Sequence, residues 1–172
     1  MSDQNDAPEV LLRKALTAAV NECLQNELPR AAVARYVPRE ERGDVEEMTV
    51  TVYLAEGTSE ADGREVDEET QDVEIAIQQA IPCSSNANGT MAFDVVEDLS
   101  HGDAVLAMAN RVKQLFAPHG PLRHRMLSGN WEWLSLERDQ PFDLYQLLSV
   151  GVMTSIIRLT YHRTVFSIPE EN

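Results

Sequence analysis

Residues 131–138, WEWLSLER, and residues 147–161, LLSVGVMTSIIRLTY, decide the fold. Both alternate or run apolar in the manner of strands. Between them Pro141-Phe142-Asp143-Leu144-Tyr145 reads as a turn. Two long strands joined so closely pair as an antiparallel hairpin, and that hairpin closes a small sheet.

Working back from that hairpin, residues 47–55, EMTVTVYLA, alternate with period two. Met48, Val50, Val52 and Leu54 point one way, and Thr49, Thr51 and Tyr53 the other. Residues 71–81, QDVEIAIQQAI, repeat the pattern, with Val73, Ile75 and Ile77 inward and Glu74, Ala76 and Gln78 outward. The intervening span Gly57–Thr70 is acidic, contains Gly57 and Gly63, and reads as a long exposed hairpin loop. Ala31–Val37 reads as a short strand before Pro38, Arg39–Asp44 as a charged turn, and Pro82–Thr90 as a second loop.

Two helices complete the pattern. Asp6 as N-cap, Pro8 in the first turn and Glu9 at the positive end start a helix from about Pro8 to Asn26. Leu12, Leu16, Ala19 and Cys23 make its apolar stripe. A second helix starts after Asp98 or Ser100 and runs to about Phe116, carrying Val105, Ala109 and Val112 inward. Pro118, Gly120 and Pro121 stop it, and residues 122–129 form a basic connector. The expected fold is α+β: a mostly antiparallel sheet with two main helices packed on it and a long β-hairpin with an acidic loop. At 172 residues the chain is expected to be one domain, with residues 1–7 and 166–172 as flexible tails.

Composition excludes several functions. The net charge of −15, from 29 acidic and 14 basic residues, opposes tight binding to phosphates or to an anionic membrane. No apolar run approaches the roughly 18 residues of a membrane span. The N-terminus lacks the basic and apolar regions of a signal peptide. Cys23 and Cys83 are expected to be free thiols in a reducing compartment. Glu40–Glu74 holds 14 acids against Arg42 and Arg64, whereas Arg123, Arg125, Arg138, Arg158 and Arg163 lie further on. Such polarity suits a chain that stacks on copies of itself or on an oppositely charged partner. On net charge alone, an acidic surface that keeps the protein soluble is the simpler account.

No motif announces catalysis. His101, His119, His124 and His162 have no metal-ligand spacing, and there is no C-x-x-C pair, phosphate loop or nucleophile elbow. No cofactor, metal or catalytic residue is expected. Glu65, Asp67, Glu68 and Glu69 lack the calcium-loop pattern and read as a solvated charge run. Trp131 and Trp133, two apart on a strand, face one side. They either anchor the core or form an aromatic patch at a subunit interface.

The order of these segments resembles the tail terminators of tailed bacteriophages, also called tail completion or neck proteins. The resemblance covers residues 9–165: a first helix, a hairpin like MTVTVYLAE…QDVEIAIQQ, a helix like DAVLAMANRVKQLF, then WEWLSLER, a turn and GVMTSIIRLTYHR. It implies a structural virion protein that assembles in the host bacterial cytoplasm. A homo-oligomeric ring, usually a hexamer, caps the tail tube and joins it to the head-neck. The implied partners are the tail tube protein, a neck or connector protein and, in some tails, a sheath, with DNA passing through the lumen unbound. The candidate interaction residues are Glu65, Asp67, Glu68, Glu69, Trp131, Trp133, Arg158 and Arg163. Acidic and basic regions are expected to complement one another around the ring. The alternatives are another neck, head-completion or tail tube subunit, an acidic DNA mimic that inhibits a partner, and a small metal-dependent hydrolase.

Overall fold

Leu12, Leu16, Ala19, Val20 and Leu24 lie on one face of the first helix and are all buried. That helix, α1, spans Pro8–Leu24 in this computed structural model, which describes residues 6–39, 41–61, 66–82, 84–85, 91–92, 100–137 and 142–166. Its N-cap is Ala7, not Asp6, because a residue before proline is driven to extended backbone and Ala7 sits at φ −59°, ψ 145°. Asp6 instead pairs with Lys14. Helix α2, Ser100–Gln114, buries Val105, Ala109 and Val112. A bidentate pair from Arg111 to Glu27 ties it to the end of α1 at 2.7 and 2.8 Å.

The fold is α+β. Strands β1 (Val33–Ala34), β2 (Thr49–Ala61), β3 (Val66–Ala80), β6 (Glu132–Glu137) and β7 (Val152–Phe166) form a five-stranded sheet in the order β1-β2-β3-β7-β6. A separate two-stranded ribbon joins β4 (Ser84–Ser85) to β5 (Met91–Ala92). Among the described strands only β1 runs parallel to its neighbour, pairing Val33 with Thr51 and Ala34 with Val52. The stretch read as a strand over Ala31–Val37 therefore shrinks to two paired residues. Asn21 of α1 clamps Ala32 beside them through both backbone groups, at 2.9 and 2.7 Å.

Most of the span Gly57–Thr70, expected as a loop, is strand. Strand β2 continues to Ala61 and β3 begins at Val66, with rungs from Gly57–Gln71 to Ala61–Asp67. Two features carry the ladder past the glycine. A bulge between Leu54 and Gly57 absorbs the change of register. The amide of buried Gln71 donates to the carbonyls of Ala55 and Glu56, each at 3.2 Å, and pins that bulge. On the other side β3 pairs with β7 without interruption from Val66–Phe166 to Ala80–Val152.

The second departure lies at residues 144–150. Apolarity alone does not separate a buried helix from a strand, and here the caps decide. Asp143 accepts a hydrogen bond from the Gln146 amide at 3.0 Å, opening helix α3, Leu144–Val150. Gly151, at φ 69°, closes it and donates to the Leu147 carbonyl at 3.0 Å. A side chain at Gly151 meets the left-handed penalty. Gly151→Ala is expected to lower stability by about 1 kcal/mol, read as a drop in Tm of about 2–4 °C for a domain of this size.

The core lies between α1, α2 and one face of the sheet. Val50, Val52, Val73, Ile75, Ile77, Ile157 and Leu159 project into it, matching the inward set expected for β2 and β3. The opposite face, whose side chains were read as pointing away from that core, is covered as well: Thr49, Thr51, Glu74, Ala76 and Gln78 are buried there. Several elements shield it. Val45, in a 3-10 turn over Arg42–Val45, packs with Ala80, Val152 and Val150. The Gln78 amide exchanges hydrogen bonds with the backbone of Arg39 at 2.9 and 2.8 Å and also reaches Thr154 at 3.3 Å. Thr154 in turn donates to Gln146 of α3.

Candidate functional site

Arg158 and Arg163 lie on opposite faces of β7, and each meets an acid of β3. Arg163 pairs across the rung with Glu69 and lays its guanidinium 4.9 Å from the centroid of Trp131. Arg158 pairs with Glu74 at 2.7 and 2.9 Å, and the Tyr53 hydroxyl donates to the same carboxylate. That network crosses three strands in one row, Tyr53–Glu74–Arg158. One more acid of β3, Asp72, accepts from the Thr160 hydroxyl at 2.7 Å. The acidic and basic segments that suggested contacts between subunits thus meet inside one chain.

Glu65 lies outside the described residues. Asp67 holds a rung of β3 opposite Ala61 and Val165, and Glu68 is exposed opposite Glu60 and Thr164. Trp131 is buried in the core, and its indole N–H donates to the Pro8 carbonyl at 3.1 Å. Trp133 is half-buried against the same core, on the face that carries Tyr161. Trp131 therefore serves the core, and Trp133 packs on it from the edge of the sheet while also lining an open groove. Arg123 stacks over Trp133 at 4.8 Å.

Burial raises the Tyr53 phenol far above its ordinary value, and the hydrogen bond to Glu74 adds to the effect. Burial alone raises Tyr161. A folded-state pKa above the unfolded one makes the neutral phenol a stabilising form. That stability is complete below about pH 10 and is lost as pH rises above it. Tyrosinate absorbance from these two residues is expected to appear in one step with loss of circular dichroism. Gradual ionisation of both within the intact fold contradicts it.

The sheet leaves two edges open among the described residues. Strand β1 covers β2 only at Thr51 and Val52, so Tyr53–Ala61 has an unpaired outer side. On the far side β6 pairs with β7 alone. Beside β6 a groove of about 620 Å³ runs between the end of α2 and the strand. It is lined by Lys113, Gln114, Phe116, Arg123, Trp133, Leu134 and Leu136. A smaller polar hollow of about 240 Å³ adjoins it at Arg123, His124, Arg125 and Glu132. Leu134, which follows core-facing Trp133 at a bulge before Ser135, points outward and is 51% exposed. Sequence reasoning missed this groove. Its signal was the basic connector at residues 122–129, which only the fold sets beside a free strand edge.

No three histidine, cysteine or carboxylate side chains converge as metal ligands among the described residues. No described helix is long and apolar enough to cross a membrane. The chain matches no known family model and no curated protein.

Proposed function

We propose that the protein is a tail terminator of a tailed bacteriophage, a structural virion component without catalytic activity. Copies form a ring that caps the tail tube, joins it to the neck and lets DNA pass through its lumen. The observation that carries this is the order of segments, helix, long hairpin, helix, closing hairpin, folded onto one sheet that leaves much of β2 and the outer side of β6 unpaired among the described residues. A monomer with open strand edges is a ready building block for head-to-tail assembly. The net charge of −15 suits a passage through which DNA slides without being held.

The test is mass by light scattering, ring views by negative-stain imaging, and capping of purified tail tubes. A closed ring of about six subunits of 19.2 kDa that blocks tube growth is the expected result. Open stacks of varying length point instead to a tube subunit. A chain that neither closes nor binds tubes overturns the proposal.

A further inference from the structure

The layer between helices and sheet does not end with the last strand. Trp133 and Leu136 of β6 pair with Tyr161 and Leu159, two core residues, so their side chains lie on the helix-covered face. The groove of about 620 Å³ continues that layer outward, with the end of α2 and Phe116 as its other wall. It runs beside the outer side of β6, whose backbone groups have no partner strand among the described residues. Leu134 in this groove and Met126 in the adjoining hollow are both exposed. An apolar wall next to a bare strand edge has the form of a seat for one more strand.

Charge gives the occupant its chemistry. The sequence holds 29 acids to 14 bases. Most described cations accordingly find a carboxylate, including Arg111 with Glu27 on α2 and Arg125 with Glu22 on the connector. Lys113 and Arg123 do not, and both line this groove. Arg123 lies over the Trp133 ring instead, and the Trp133 indole N–H, itself buried, finds no acceptor among the described residues. Glu132 borders the hollow but stands across the rung from His162, at 3.7 Å. Two cations without acids beside an apolar wall suit a carboxylate flanked by apolar side chains.

An open strand edge by itself accepts any backbone, and the two cations narrow the choice to an acidic one. Nucleic acid is the other common carrier of negative charge. It brings many phosphates against a chain of net charge −15, and one face of the Trp133 ring, the natural platform for a base, is taken by Arg123. A peptide with a single acid avoids that repulsion and uses the strand edge as well.

We propose that the groove beside β6 binds an extended segment of a partner protein, in which an acidic residue has apolar residues two positions to either side. The segment adds to β6 as a further strand. Side chains alternate along a strand, so every second one enters the groove. The carboxylate meets Lys113 and Arg123, and its apolar neighbours meet Phe116, Trp133 and Leu136. The inference needs only a single copy of the chain and is independent of the ring proposed above.

Selection of a displayed library of random heptapeptides on the immobilised full chain tests this. Enriched sequences are expected to carry one aspartate or glutamate with aliphatic or aromatic residues two positions away. The best of them, synthesised with blocked ends, is expected to bind about tenfold more weakly once its acid becomes the amide. N-methylation of the backbone amides along one edge is expected to abolish binding, because it removes strand pairing. Arg123→Glu is expected to reverse the preference, so that the peptide with lysine in place of its acid binds better. Lys113→Glu reads the same groove without touching the Trp133 stack, should Arg123→Glu disturb the fold. No enrichment, enrichment without an acid, or acidic peptides indifferent to both reversals overturns the proposal. So does a selected peptide that breaks up the protein's own oligomers, since a second copy is then the occupant. Ring closure and tube capping are measured without the peptide and judge the functional proposal separately.

Discussion

Replacing Trp131 with alanine is expected to lower the unfolding free energy by about 3–5 kcal/mol, the range for losing a large buried aromatic. The side chain is 1% exposed. Three links depend on it. Its ring fills the core between the connector and the sheet. Its N–H holds the first turn of α1 through the Pro8 carbonyl. Its face carries the Arg163 guanidinium, itself paired with Glu69. Against a typical total of about 5–15 kcal/mol, a loss of that size leaves a marginal fold. Denaturant unfolding at neutral pH measures it, and Trp131→Phe separates the terms. Phenylalanine keeps most of the burial and loses the hydrogen bond, so it should recover more than half of the loss. A cost below about 1 kcal/mol for the alanine variant refutes the anchoring role.

Arg158→Ala is expected to cost about 2–3 kcal/mol. Removing one partner of a buried pair strands the other, which typically costs about 3–5 kcal/mol. The estimate is lower here because the Arg158 side chain is 39% exposed and the Glu74 side chain 12% exposed, so water screens part of the interaction. The stranded Glu74 keeps only the Tyr53 hydroxyl. Replacing both members, as Glu74→Leu/Arg158→Leu, removes the uncompensated charge. The double variant should be more stable than Arg158→Ala, although the Tyr53 hydroxyl then loses its acceptor. A double-mutant cycle read by thermal and denaturant unfolding distinguishes these cases. Additive losses show that the pair does not act as a unit.

The sheet was legible where one physical pattern dominated. Val50, Val52, Val73, Ile75 and Ile77 alternate cleanly, and each enters the core as its period requires. Helices α1 and α2 were legible from their apolar stripes and stop signals. Illegibility has specific causes. Thr49, Thr51, Glu74 and Gln78 look like a wet face, but burial of that face depends on elements from elsewhere in the chain: the backbone at Arg39, the 3-10 turn and α3. Residues 144–150 carry the same kind of apolar run as a strand, and only Asp143 and Gly151 betray the helix. The acidic stretch around residue 60 reads as a loop because charge and glycine depress strand propensity. The ladder to β7, with Arg163 answering Glu69, overrides that preference.

Of the candidate interaction residues, the side chains of Glu69, Trp131, Arg158 and Arg163 find partners within the fold, and Trp133 packs on the core beneath Arg123. The groove beside β6 needed three dimensions. Lys113, Arg123 and Leu134 lie on three separate segments, and no spacing rule joins them.

The position of β7 bears on how the protein is made. It is the last strand of the sheet in sequence, yet it sits between β3 and β6 in space. Its ion pairs reach partners 84 and 94 residues earlier. A ribosome therefore extrudes α1, β2, β3 and α2 before the strand that joins the two halves of the sheet exists. Until then one side of β3 is a bare row of amides and carbonyls, open to any passing strand. Folding must await the closing of long loops, which slows it relative to helical chains of this size. Nascent chains halted before residue 152 should accordingly be protease-sensitive and dependent on a holdase, and become resistant once β7 clears the exit tunnel.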